Sequence, residues 1–124
     1  MIWVIGIIAI ILILFFITSR KVFIPDEDTE GEKIMQVKVA GSRHYNTEVK
    51  PDELVRLSHD PANEHDPNAI EILKLNGKKV GFVPKKHNKK ILQIMNNADV
   101  FGKIVAVYYK GKEVHVNLLK HVPS

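Results

Sequence analysis

The chain has 124 residues, with 18 Lys/Arg, 14 Asp/Glu, six His and no Cys, giving a net charge of +4. The lack of cysteine excludes a disulfide framework and a thiol nucleophile, and fits a reducing compartment. After the first quarter of the chain, roughly 90 residues remain, enough for one small core and too few for two.

Ile2 to Ile17 contains no charge and no proline, and the first charged side chains are Arg20 and Lys21. A helix over Ile2 to Ser19 spans about 27 Å at its usual rise, close to a hydrocarbon core of about 30 Å. Trp3 stands near one end, where indoles favour the interface. No basic n-region and no small-x-small site accompany the run, so an uncleaved anchor is favoured over a signal peptide. Residues 1–19 are therefore expected to form a transmembrane helix. Arg20 and Lys21 follow it directly, and the positive-inside bias then predicts a single-pass protein with a cytoplasmic soluble domain.

Residues 20–32 read as an acidic linker, because Pro25 and five acids (Asp26, Glu27, Asp28, Glu30, Glu32) oppose regular structure. From Lys33 onward there are 16 Lys/Arg against 9 Asp/Glu, a surplus of +7. Residues 33–124 are thus more basic than the whole chain suggests, and an anionic partner is expected, nucleic acid or an anionic lipid surface.

Within that part, Ile34, Met35, Val37 and Val39 approximate alternation up to Gly41 and predict a first strand. A polar stretch from Ser42 to Asp52 leads to a second strand around Leu54, Val55 and Leu57. Two Asp-Pro pairs, Asp60-Pro61 and Asp66-Pro67, make His59 to Asn68 a loop. Ala69 to Leu75 and Lys78 to Val83 alternate on either side of Asn76-Gly77, which predicts a hairpin with a two-residue turn. Lys85 to Asn97 shows helical spacing at Ile91, Leu92, Ile94 and Met95, with Pro84 as a starter. Two more strands follow around Ile104 to Tyr109 and Val114 to Leu118, separated by a turn at Lys110-Gly111. Five or six short strands with one or two helices describe a mainly β chain, expected as a small OB-like or SH3-like barrel.

The loop from His59 to Asn68 concentrates the polar chemistry. Two His-Asp pairs suggest a metal-dependent phosphohydrolase, but each Asp precedes a proline instead of lying on a helix that would aim it. A calcium loop starting at Asp60 fails too, because His65 occupies the position of the sharp-turn glycine. Turn capping by Asp60, Asn63, Asp66 and Asn68 is the simpler reading. No glycine-rich phosphate loop and no serine in an elbow context appears, so no catalytic residue, metal or cofactor is expected. Lys85, Lys86, Lys89 and Lys90 place four ammonium groups at the start of the predicted helix, an end that already favours anions.

Three segments together resemble the HIRAN domain, which occurs in fork-remodelling helicases and as a stand-alone module. They are Val37 to Tyr45 (Val-Lys-Val-Ala-Gly-Ser-Arg-His-Tyr), the run Asp60-Pro61-Ala62-Asn63-Glu64-His65-Asp66-Pro67-Asn68-Ala69-Ile70, and Asn76 to Pro84 with its Val80-Gly81-Phe82-Val83. The resemblance implies a modified oligonucleotide-binding barrel that holds the 3′ end of single-stranded DNA. By position, Asp66 would accept from the 3′-hydroxyl and Asn63 would support the loop. Arg43 and Lys85 would contact phosphates, and Tyr45 and Phe82 would line the pocket wall. His44 and His65 stand where the family has two base-sandwiching tyrosines, and Ala62 replaces a loop asparagine. An imidazole covers less of a base than a phenol, and stacking is worth ~1–3 kcal/mol per base, so weaker binding at neutral pH is implied. Protonation of both rings would add charge beside phosphate, so affinity is expected to rise on mild acidification. Any motor or nuclease activity would belong to a protein partner. The competing readings are a protein-interaction adaptor and an anionic-lipid-surface module on the same basic barrel, with the phosphohydrolase last.

Overall fold

The computed structural model describes residues 23–123. The expected anchor and the first residues of the linker lie outside the described residues. Among those described, no helix is long and apolar enough to cross a membrane.

Six strands form one antiparallel sheet: β1 (Gly31–Lys38), β2 (Leu54–His59), β3 (Ile70–Lys74), β4 (Lys79–Phe82), β5 (Val100–Tyr108) and β6 (Glu113–His121). Their spatial order is β1-β6-β5-β2-β3-β4. Among the described residues two α-helices accompany them, the four-residue α1 (Ser42–Tyr45) and the eleven-residue α2 (Lys85–Met95). The mainly β reading and its strand sequence hold, with one correction. The ladder does not close into a barrel. Its outer strands meet at a single bridge, where Ala40 and Phe82 exchange both backbone hydrogen bonds at 2.8 and 2.9 Å. The chain turns at Gly41 into α1 directly after that bridge, so no further pairs can form.

The inward side chains of each strand pack into one core, in which Val55, Ile70, Ile72, Val116 and Leu118 are fully buried. α2 adds Ile91 to this core, with Leu92, Ile94 and Met95 packed beside it. That is the face its helical spacing predicts.

Two local expectations need correcting. The linker was expected to lack structure through Glu32, yet β1 already begins at Gly31, and Phe23 and Pro25 pack onto the domain. The cause is Phe101, whose ring leaves the outer face of β5 and needs cover. The Phe23 ring lies 5.9 Å from it and stacks on His121 at 4.9 Å. The β3–β4 hairpin turns through three residues, not two. Gly77 N–H donates to the Lys74 carbonyl at 2.9 Å, Lys74 N–H donates to that of Lys78 at 2.8 Å, and only Gly77 is left-handed at φ +93°. This is the geometry of a turn followed by a glycine bulge. Asn76 contributes through its side chain, accepting from Lys78 N–H at 3.0 Å.

Candidate nucleic-acid interface

The β2–β3 loop is shaped by its own amides. Asp60 N–H donates across the base to the Ala69 carbonyl at 2.8 Å. Asn63 Oδ1 accepts from the backbone N–H groups of both His65 (2.9 Å) and Asp66 (3.0 Å), while its Nδ2 donates to Asp60 Oδ2 at 3.3 Å. Asp66 Oδ1 accepts from Asn68 N–H at 2.9 Å. Asn63 and Asp66 therefore do cap turns, as side chains of this length can. His59 Nε2 faces the Pro67 carbonyl at 2.8 Å. Among the described residues, no three His, Asp or Glu side chains group as a metal site would need.

The second oxygen of Asp66 reaches another element. Asn88 on α2 donates from Nδ2 to Asp66 Oδ2 at 2.6 Å, and Asn88 is only 3% exposed. This pins a carboxylate at the rim of a cleft of about 440 Å³. Asn63, His65 and Asp66 line one side of it, and Tyr45, Phe82 and Lys79 line another. Ala40, Ala69, Val83, Lys85 and Asn88 complete the wall. The Tyr45 and Phe82 rings lie 6.2 Å apart and tilted. The Ala40–Phe82 bridge holds the two segments that carry them together.

Six of the expected site residues thus share one cleft: Tyr45, Asn63, His65, Asp66, Phe82 and Lys85. Arg43 and His44 do not line it. They line an adjoining cleft of about 480 Å³, together with Lys86, and the two clefts share Ala40. His44 and His65 accordingly stand on different clefts. The lysine run is split by the turn of α2, with Lys85 at the first cleft and Lys86 at the second. Lys89 and Lys90 are exposed further along the helix and line neither.

Lys79 and Asn88 are additions that the sequence reading did not include. Asn88 lies three residues before the buried Ile91, in phase with the apolar face, and a polar residue in that phase was the available signal. Lys79 left no such trace. Its Nζ lies 5.3 Å from the Tyr45 ring centre and 5.1 Å from that of Phe82, and it pairs with Glu71 Oε1 at 3.0 Å. The hydrogen bond to Glu71 raises the Lys79 ammonium above its ordinary value, so Lys79 keeps its proton well beyond neutral pH.

Near the second cleft, Glu113 pairs with Lys38 at 3.1 Å and with His115 Nε2 at 3.0 Å. The His115 and then the Lys38 contact lower the Glu113 carboxyl below its ordinary value of 4.5. A carboxyl lowered by folding contributes stability above its unfolded value, and that contribution is lost as pH falls through the folded one. Acid unfolding of Glu113→Gln, followed by circular dichroism below about pH 4.5, should therefore lack a small part of the wild-type decline. Identical acid limbs would refute it.

One curled antiparallel sheet with two small helices, carrying its polar loop and aromatic pair around a single cleft, defines the class of small, mainly β, OB-like domains. The chain belongs to the HIRAN domain family, whose family model matches residues 33–122. It is 35% identical over 82 residues to the helicase-like transcription factor of Mus musculus, which covers 66% of this chain and 8% of that protein. The Homo sapiens protein of the same name is 39% identical over 59 residues, 48% of this chain and 6% of that protein. This chain thus spans a small fraction of the curated relatives it matches. Among solved structures, the crystal structure of the HIRAN domain of human HLTF superposes with a TM-score of 0.62 at 27% identity, covering 70% of this chain and 74% of that one. The NMR structure of the HLTF HIRAN domain in its DNA-bound conformation gives 0.57 at 27% identity, covering 76% and 79%. A Lactobacillus plantarum protein gives 0.68 over 77% of this chain and 99% of that one; at 19% identity it attests the fold alone.

Proposed function

We propose that this chain is a membrane-anchored module that captures the 3′-hydroxyl end of single-stranded DNA. The observation that carries the reading is the Asp66 carboxylate, pinned by Asn68 N–H and the Asn88 amide at a cleft lined by aromatic rings and lysines. A carboxylate can accept further hydrogen bonds after taking two, and a terminal hydroxyl offers a donor. Tyr45 and Phe82 supply aromatic surface, and Lys79 and Lys85 supply charge for the nearest phosphate. Kinship with a domain known in a DNA-bound conformation supports the same ligand class.

The test is fluorescence anisotropy on the full chain in mild detergent, with oligonucleotides ending in 3′-hydroxyl or 3′-phosphate. The 3′-hydroxyl ligand should bind more tightly, since a terminal phosphate would face the Asp66 charge, and binding should weaken with salt as counterions return. Equal affinity for both ends would refute end recognition.

Anchoring rests on the uncharged run from Ile2 to Ile17, and the cytoplasmic side on Arg20 and Lys21. The chain should resist extraction from membranes by alkaline carbonate, and its C-terminal domain should be cleaved by protease only after the cells are opened. Release by carbonate would refute the anchor. Any remodelling or cleavage of the captured strand would fall to a protein partner.

A further inference from the structure

We infer that the end of the domain marked by Phe23, Ile24 and Val122 faces the bilayer that carries the chain, and that this holds both clefts on the side turned away from lipid. The inference rests on the anchoring proposed above and adds an orientation to it. Its starting point is how early the folded part begins. Pro25 is fully buried, Phe23 stacks on His121 at 4.9 Å, and Val122 N–H donates to the Glu30 carbonyl at 3.0 Å. A turn closes between these points, with Asp26 N–H donating to Thr29 Oγ1 at 2.8 Å and Thr29 N–H to the Asp26 carbonyl at 3.1 Å. Gly31 lies so close to the sheet that a methyl group built on it would stand 2.7 Å from Phe101 Cζ and 2.8 Å from Leu119 Cβ. The acidic stretch is thus part of the domain from Phe23 onward and adds no slack to the tether.

Two lengths then decide the orientation. Only Arg20, Lys21 and Val22 separate the proposed span from Phe23. Three residues reach at most about 11 Å when fully extended. From the docked end, β1 runs eight residues to Lys38, about 23 Å at the usual rise of a strand. Lys38 lines the second cleft, and Ala40 just beyond it is the wall that both clefts share. Turning that wall onto the bilayer would lift Phe23 beyond the reach of its tether. The surface at the docked end agrees. Ile24 and Val122 stand next in sequence to the stacked pair Phe23 and His121, and they are 57% and 42% exposed. Exposed apolar side chains held beside a bilayer gain by entering its interface. Asp26, Glu27, Asp28 and Glu30 follow on the same segment, so the contact is apolar and anionic headgroups do not strengthen it. A strand therefore reaches the clefts from the aqueous side while the chain stays in the bilayer.

The chain has no cysteine, so a nitroxide can be attached at one position at a time in the full chain. Lys120→Cys marks the docked end and Lys112→Cys the second cleft, and both positions are exposed. In phosphatidylcholine nanodiscs containing a nickel-chelating lipid, the label at position 120 should be strongly relaxed by the headgroup nickel and the label at 112 should not. Adding Ile24→Ser/Val122→Ser to the Lys120→Cys chain should reduce the relaxation there, with an unchanged circular dichroism spectrum. Equal relaxation at the two positions overturns the orientation. So does stronger relaxation at 112 in phosphatidylserine nanodiscs, which would put the basic clefts on lipid. An unchanged signal in the serine variant overturns the apolar contact. A chain that fails to stay with the nanodiscs counts against the anchor itself and takes the orientation with it, a failure visible before any label is read.

Discussion

Gly81→Ala is expected to lower the melting temperature by roughly 12–24 °C, taking about 4–8 °C per kcal/mol for a domain of this size. A methyl group built on Gly81 would stand 2.4 Å from Val39 Cγ1 and 2.5 Å from the Ala40 carbonyl oxygen. One of these atoms is backbone and the other belongs to a core side chain, so neither can rotate away. Overpacking of this kind costs about 3 kcal/mol at the upper end of its usual range. The strain falls on the Ala40–Phe82 bridge, the single link between the outer segments of the sheet. Spreading it would also part Tyr45 from Phe82, so the variant should bind 3′-hydroxyl oligonucleotide more weakly even below its melting point. Thermal unfolding by circular dichroism gives the first effect and anisotropy at low temperature the second. A melting temperature within two or three degrees of wild type, well under the 4–8 °C expected for even ~1 kcal/mol, would show that the strand pair yields more easily than the packing implies.

Asp66→Ala should cost both stability and end recognition, and the two losses can be separated. Removing the carboxylate leaves the buried Asn88 amide without its acceptor, a penalty of about 1–3 kcal/mol. It also removes the cap on Asn68 N–H. On the proposed function, the same change deletes a hydrogen bond to a charged group, about 1.5–3 kcal/mol, or roughly 10- to 100-fold in affinity. Replacing both members of a buried polar pair by apolar groups is often nearly neutral. Asp66→Ala/Asn88→Leu should therefore recover much of the melting temperature while the preference for a 3′-hydroxyl stays lost. Recovery of that preference along with stability would mean that Asp66 acts on the loop and does not touch the ligand.

The strand order along the chain was readable because period-2 alternation needs only local information. Val37 and Val39, Ile70 and Ile72, and Val114, Val116 and Leu118 all turn inward as that period requires. The helix at Lys85 was equally local, since Ile91 and its neighbours repeat at 3.6 residues. The loop at Asp60 to Asn68 could be read because its hydrogen bonds run between residues two or three apart. What escaped was non-local. Phe23 docks because Phe101 emerges beside it on a strand some eighty residues away. Lys79 enters the site because β4 lies beside the segment that carries Tyr45.

By itself, then, the amino-acid order determined the mainly β class, the surplus of positive charge after Lys33, and the family to which the carrying motifs belong. Only the tertiary structure decided that the ladder stays open and that Arg43 and His44 stand on a different cleft from His65 and Asp66. It also decided that Asn88 holds the carboxylate. Alternation and turn chemistry are short-range and are written in consecutive residues. Which strand edges meet, and which side chains then share a wall, depends on how the whole sheet curls around its core, and no single stretch of the chain encodes that.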